Sequence, residues 1–281
     1  MTALLAVLTA LVLAASPVEG PAPGGVGLRY ERPLGQTATY HVSLAAAGHQ
    51  VSLGERLPVR WSAEVEYTEE VIARGRDGVV WLRVRSRPMA VEDATGRWQG
   101  PLAEPWPEME VRLTSRGEVV DVSLAAGEGP SDVRRRALVS LIGQPNPVVL
   151  PSGRAAVGEG WEWAKSGAWQ RNRLVGLEGE GERRVARVAS ESFAPLEMEE
   201  RSEALGLAAR LEGEVKGESQ LDLLLAEGVP ARHQGEMRVQ TRSEVSLALP
   251  GAEKTFAMES DLRIAFDMRL VSIDGTPLDA R

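Results

Sequence analysis

The chain has 281 residues, with 32 basic and 40 acidic side chains, a formal charge of −8 and a pI of about 5.2. It contains no cysteine, which excludes a disulfide framework, a thiolate-held zinc or iron–sulfur centre, a cysteine nucleophile and a lipidated N-terminal cysteine. No basic domain exists to attract a phosphate backbone, so no nucleic-acid partner is expected.

Residues Thr2 to Ala15 form an almost unbroken apolar run that meets Ser16-Pro17-Val18-Glu19-Gly20. The run is shorter than the roughly 20 residues needed to cross a bilayer as a helix, and small residues follow it, as in a secretory signal peptide. Residues 1–20 are therefore expected to be a signal peptide, and the mature chain to be periplasmic or extracellular. No second apolar run occurs, so no transmembrane span is expected in the mature chain. Residues 21–27 are a Pro/Gly spacer, expected to be disordered, and 28–281 form a single β-rich domain.

Beyond the spacer the dominant signal is alternation, which places every second side chain on one face of a strand. Tyr40, Val42, Leu44 and Ala46 share one parity; Val59, Trp61, Ala63, Val65 and Tyr67 share another; Val80, Leu82 and Val84 repeat it. Arg60, Glu64, Glu66, Arg83 and Arg85 occupy the opposite faces, so one side meets water and the other a core. Met109, Val111 and Leu113 run into Ser115-Arg116-Gly117 and then Val120, Val122 and Leu124, a hairpin pattern.

One segment breaks this rhythm. Ser131-Asp132 offers a cap, Val133, Ala137, Leu138, Leu141 and Ile142 recur at helical spacing, and Gly143 stands where a helix stops. The pattern predicts a single short helix, placed against the concave side of the sheet. Pro145, Pro147 and Pro151 mark a connector, a candidate division between two sheet halves.

The C-terminal third alternates over long stretches: Leu205 to Leu225, then Met237, Val239, Val245, Leu247 and Leu249 on odd positions. Phe256, Met258, Leu262, Ile264, Phe266, Met268 and Leu270 follow on even ones. Strands of about 15–20 residues far exceed the usual length and must twist and coil, with Gly213, Gly217 and Gly235 as candidate bends. The fold class expected is all-β with minor α: a long, strongly curved antiparallel sheet or partly closed barrel carrying one short helix. A lipid-embedded barrel fits poorly, because aromatics are 5% and one face is rich in Arg and Glu.

Three stretches, Leu28-Arg29-Tyr30-Glu31-Arg32-Pro33-Leu34-Gly35 with Tyr40, Val157-Gly158-Glu159-Gly160-Trp161, and Gly217-Glu218-Ser219-Gln220-Leu221-Asp222 leading to Gly228-Val229-Pro230, together resemble bacterial exported β-rich proteins of unknown function. A looser, fold-level likeness is to periplasmic lipoprotein carriers, whose curved antiparallel sheet holds acyl chains over a helical plug. That likeness implies an apolar concave face and transfers no individual residue.

Chemistry-bearing constellations are sparse. His41 and His49 lack third and fourth ligands and read as surface histidines, so no metal site is expected. No G-x-S-x-G elbow occurs, and the paired acids Glu69-Glu70 and Glu199-Glu200 would point to opposite faces of a strand. Gly158, Gly160, Gly179 and Gly181 open no phosphate-binding helix, and no cofactor is expected. Arg134-Arg135-Arg136 reads as a solvated helix surface, and Trp161, Trp163, Trp169, Trp98 and Trp106 as side chains closing the end of a sheet.

The function expected is that of a non-enzymatic envelope protein with a lipid, lipoprotein or other apolar partner on its concave face. The ligand-lining residues would be Val239, Val245, Leu247, Met258, Leu262, Ile264, Phe266 and Met268. A structural or adhesion module with a self-filled core, and a hydrolase with a site assembled from distant loops, are the alternatives.

Overall fold

The computed structural model of the protein describes residues 25–93, 96–97, 108–124, 148–202, 207–249 and 252–278. The expected signal peptide, the helix predicted over Ser131–Gly143 with its three arginines, and Trp98 and Trp106 lie outside the described residues.

The strands follow in chain order. The short β1 (Val26–Gly27) precedes β2 (Thr37–Ser52), β3 (Glu55–Arg74), β4 (Val80–Asp93), β5 (Gly96–Arg97), β6 (Met109–Leu113) and β7 (Val119–Leu124). Then come β8 (Arg154–Ala155), β9 (Gly160–Lys165), β10 (Ala168–Glu178), β11 (Val185–Ser202), β12 (Leu207–Leu224), β13 (Val229–Leu249), β14 (Ala252–Ile273) and β15 (Thr276–Pro277). The only helical element among the described residues is a 3-10 turn at Gly181–Arg183.

Thirteen strands form one antiparallel sheet in the order β7-β6-β4-β3-β2-β14-β13-β12-β11-β10-β9, with β5 and β15 attached to β4 and β14. Among the described residues its two edges, β7 and β9, are not paired with each other, and these strands do not form a hydrogen-bonded closed barrel. The expected long strands are present: β13 has 21 residues and β14 has 22. Such ribbons are stable only if their register is fixed, and here the alternation fixes it. A single row of cross-strand partners runs Val65, Val42, Met268, His233, Leu221, Val188, Leu174 on one face. A slip of one residue on most of these strands would replace members of this row by polar or charged neighbours. The other face carries ion pairs, among them Arg232–Asp267, Arg187–Asp222 and Arg238–Asp261, and meets water.

Gly213 and Gly235 sit on the inward face where neighbouring backbones approach closely. A Cβ on Gly235 would stand 2.3 Å from the Glu218 carbonyl oxygen, and one on Gly213 2.1 Å from that of Gln240. Gly48 on β2 makes the same kind of approach, to Asp261. Absence of a side chain therefore lets the ribbon coil more tightly than any other residue would allow. Gly217 is less crowded, with the Ser192 hydroxyl at 3.1 Å.

Curling brings the two sheet edges toward a strap made of residues 25–36 and 148–155. β1 pairs with β8 through Val26–Ala155 and Gly27–Arg154, so the last residues of the expected spacer are ordered. The backbone N–H of Tyr30 donates to Ser115 O (2.8 Å) and that of Leu150 to Arg116 O (2.8 Å), tying the strap to the β6–β7 turn. At the opposite edge Val149 N–H donates to Gln170 Oε1 (2.9 Å), and Val149 O accepts from Trp161 Nε1 (2.7 Å) and Asn172 Nδ2 (3.1 Å). Side chains thus satisfy both polar backbone groups of a residue that no strand accompanies. In the main sheet the strands before the proline-marked connector, β2 to β7, and those after it, β9 to β14, form two contiguous halves that meet at the β2–β14 pair, and Val148, Val149 and Leu150 of the connector are buried core residues. Val148 and Leu150 pack with Leu28 and Tyr30 on Leu174, Val188 and Leu221. Proline denies this segment a ladder, and apolar burial holds it instead.

Candidate concave-face binding site

The inward face divides into three zones along the strands. Closest to the strap it is filled. Tyr40, Tyr67, Val71, Leu82, Val84 and Met268 are buried together with Leu224 and Val229 of the β12–β13 turn. Into this core projects a polar group, the Arg32 guanidinium, which pairs with Glu69 and also donates to Gln36 Oε1 at 2.9 Å. Tyr67 donates to Glu69 Oε1 at 3.2 Å. Burial pushes the hydroxyls of Tyr30, Tyr40 and Tyr67 above the ordinary phenol range, with the Glu69 charge adding to it, so all three stay neutral. A cavity of about 60 Å3 lies among Tyr30, Arg32, Tyr67, Glu69, His233 and Met268.

His233, on the inward row between Met268 and Leu221, is 4% exposed and meets Phe266 edge-on at 5.0 Å. Its Nε2 finds no hydrogen-bond partner among the described residues. Burial lowers its pKa to about 4, because a dry surrounding disfavours the imidazolium. His233 therefore stays neutral at physiological pH. It belongs to the core, unlike His41 and His49, which lie on the outward face against Glu64 and Arg56. Among the described residues no group of three or more metal-ligating side chains occurs.

The second zone lies farther along the same strands. Ala46, Val239 and Ile264 are buried there, flanked by the partly buried Trp61, Leu196, Val215, Met237 and Leu262. Exposure then rises on a single face of β14: Met268 is 4% exposed, Ile264 7%, Met258 36% and Phe256 39%. Leu57 of β3, 48% exposed, lies on the same face across β2. An apolar trough thus opens toward the end of the sheet remote from the strap. Of the residues expected to line a ligand, Val239, Leu262 and Ile264 meet in this trough and Met258 stands at its mouth. Met268 and Phe266 belong to the filled core, so they support the trough's floor at one end. For Val245 and Leu247 only the backbone is described, in register with Phe256 and Lys254.

The third zone is polar. Over β9 to β12 the inward positions become Trp161, Asn172, Ser190 and Ser219, and a basin of about 1400 Å3 is bordered by these residues and by Arg29, Arg116, Ser152 and Arg154 of the strap and β6–β7 turn. Sequence alternation could not show this basin, since its wall comes from residues 29, 116 and 154, brought together by strap contacts rather than by register. Trp161 closes the sheet edge as expected, but Trp169 faces outward and stacks on Phe193 with ring centroids 6.1 Å apart.

No protein-family model matches the chain, and no curated protein matches it in sequence. Among solved structures it is similar to lipovitellin, from a study of its lipid–protein interactions, at 13% identity and a TM-score of 0.43. That alignment covers 88% of this chain and 26% of the lipovitellin chain. It is also similar to the protein OccK2 (OpdF) of Pseudomonas aeruginosa, at 8% identity, TM-score 0.22 and coverage of 85% and 100%. An outer membrane channel of Pseudomonas putida F1 aligns at 9% identity, TM-score 0.19 and coverage of 90% and 100%. The chain spans about a quarter of the lipovitellin chain, 26%. Among the described residues no helix is long and apolar enough to cross a membrane.

Proposed function

We propose that the protein is an exported, non-enzymatic envelope component that binds the apolar chain of a lipid or lipoprotein in the trough on its concave face. The rise in exposure along one face of β14, from the buried Ile264 to Met258 and Phe256, carries this reading. On this face of β14 large apolar side chains continue past the point where the core ends, with Ser260, hydrogen-bonded to Thr241 at 2.6 Å, as the one polar position between Ile264 and Phe256. The apolar run at Thr2–Ala15 supports export. Binding would draw on the transfer of methylenes from water, about 0.8 kcal/mol each, against the cost of immobilising the ligand.

Binding of saturated fatty acids of increasing length to the full chain, measured by displacement of a fluorescent acyl probe, tests the proposal. Affinity is expected to rise about fourfold per added methylene until the trough is full. Leu262→Asp and Met258→Asp should abolish it while circular dichroism stays unchanged. Affinity that ignores chain length, or survives both substitutions, refutes the reading. A structural module with a self-filled interior is the second reading, favoured by the burial beneath the strap of Leu174, Leu221 and Leu223, which are at most 1% exposed. Absence of any acyl binding selects it.

A further inference from the structure

Two arginines that border the basin beside the trough, Arg29 and Arg154, have no carboxylate partner among the described residues. Arg29 is held by main-chain carbonyls: its Nη1 donates to Leu28 O (2.8 Å) and Pro151 O (2.9 Å), its Nη2 to Ser152 O (2.9 Å). Arg154 donates through Nε to Gly25 O at 2.5 Å, a contact that leaves both of its Nη groups without a partner among the described residues. Among the described residues no carboxylate pairs with either. Arg116 donates through Nε to Leu150 O (2.8 Å) and reaches Glu118 at 3.4 Å. These are three cations oriented by backbone dipoles on one wall, in a chain whose net charge is −8. On the outward face, by contrast, Arg187, Arg232 and Arg238 each hold an aspartate.

Of the acidic groups bordering the same basin, none forms an ion pair with Arg29 or Arg154 among the described residues. Glu159 caps the Ala156 N–H at 2.7 Å, and Glu162 pairs with Arg171 at 3.1 Å. Glu191 and Glu218 alternate with the inward Ser190 and Ser219 and so belong to the outward face, as do Arg171 and Arg173 beside Asn172. Opposite the cations the floor is made of small polar side chains and Trp161, with room for a head-group. This floor runs without interruption into the apolar trough, because Ser219 lies two residues from Gly217, whose cross-strand partner is Met237, itself opposite Ile264.

We infer that the basin binds the anionic head-group, a phosphate or carboxylate, of the same amphiphile whose chain lies in the trough. The inference rests on the apolar-chain reading above. A guanidinium with both terminal nitrogens open presents the fork that pairs with two oxygens of one anion, and its anchoring by carbonyls means little freedom is lost on binding.

The test compares dodecyl phosphate, dodecanol and inorganic phosphate as ligands of the full chain, with wild type, Arg154→Gln and Arg154→Lys. Dodecyl phosphate is expected to bind at least about tenfold more tightly than dodecanol, with the difference shrinking at high salt. Arg154→Gln should remove most of that difference and leave dodecanol binding unchanged, while Arg154→Lys should keep part of it. Equal affinity for the two twelve-carbon ligands in wild type overturns the head-group site but leaves the trough standing. Failure of both to bind defeats the trough as well. Inorganic phosphate binding as tightly as dodecyl phosphate overturns the inference in favour of a free-anion site.

Discussion

The buried imidazole of His233 gives the fold a defined sensitivity to acid. In the unfolded chain a histidine takes up a proton near pH 6.5, whereas in the folded protein burial holds the pKa at about 4. Between these values the unfolded chain binds more protons than the native one, so stability rises with pH across that window and is lost as pH falls from about 6.5 to about 4. At 1.36 kcal/mol per unit, the gap corresponds to about 3 kcal/mol, fully lost near pH 4 and absent as a penalty above pH 7. Substituting His233→Leu removes the titrating group and an Nε2 without a partner, and fills the same place between Met268 and Leu221 with an apolar side chain. The variant should be at least as stable as wild type at pH 7, since replacing an unsatisfied polar group by an apolar one of similar size is neutral or stabilising. Urea unfolding followed by tryptophan fluorescence at pH 7.5, 6.0, 5.0 and 4.2 measures both effects. A variant that loses as much stability as wild type between pH 6.5 and 4.2 would place the acid sensitivity elsewhere and refute the role given to His233.

Glu69→Gln leaves the 4%-exposed Arg32 side chain without its charge partner and should cost about 3–5 kcal/mol in urea unfolding; Arg32→Met combined with Glu69→Leu should recover most of the loss. Gly228, at φ +63, packs where a Cβ would lie 2.6 Å from Glu31 O, so Gly228→Ala should lower stability by about 2–4 kcal/mol through strain and collision with the strap together. Gly54→Ala, at φ +82 with nothing within 4 Å, should cost only about 1–2 kcal/mol, and equal melting temperatures for the two variants would contradict the close approach. Arg232 and Arg269 hold the Asp267 carboxyl at about 2, so its contribution is present above pH 4 and fades as pH falls from about 4 to 2. Because Arg232 and Arg269 are 40% and 63% exposed, solvent screening limits the effect of Asp267→Asn to about 1 kcal/mol or less at pH 7.

Strand after strand was legible because the signal that encodes it is local. Tyr40-Val42-Leu44-Ala46 and, with Ser260 as the exception, Phe256 through Leu270 keep their large apolar side chains on one parity, and the inward set of these stretches follows from it. Gly213 and Gly235 could be read as bends for the same reason, a gap in an otherwise regular pattern. His233 shares odd parity with Met237 and Val239, but its polar side chain reads as that of a surface histidine and concealed its place in the core. The strap resisted reading. Val148-Val149-Leu150 is a three-residue apolar run between prolines, with no period, and its partners Tyr30, Arg116, Gln170 and Asn172 stand as far as 118 residues away.

Alternation and the spacing of turn residues thus determined by themselves that this chain is an antiparallel sheet of very long strands, apolar on one side and charged on the other. Which part of the apolar side is covered, and which stays open as the trough, was decided only when the ribbon coiled and the strap bound its two edges. So was the gathering of Arg29, Arg116 and Arg154 around one basin. Periodicity records the face on which a side chain lies, but burial depends on what packs over that face, and contacts between distant segments leave no periodic mark in the sequence.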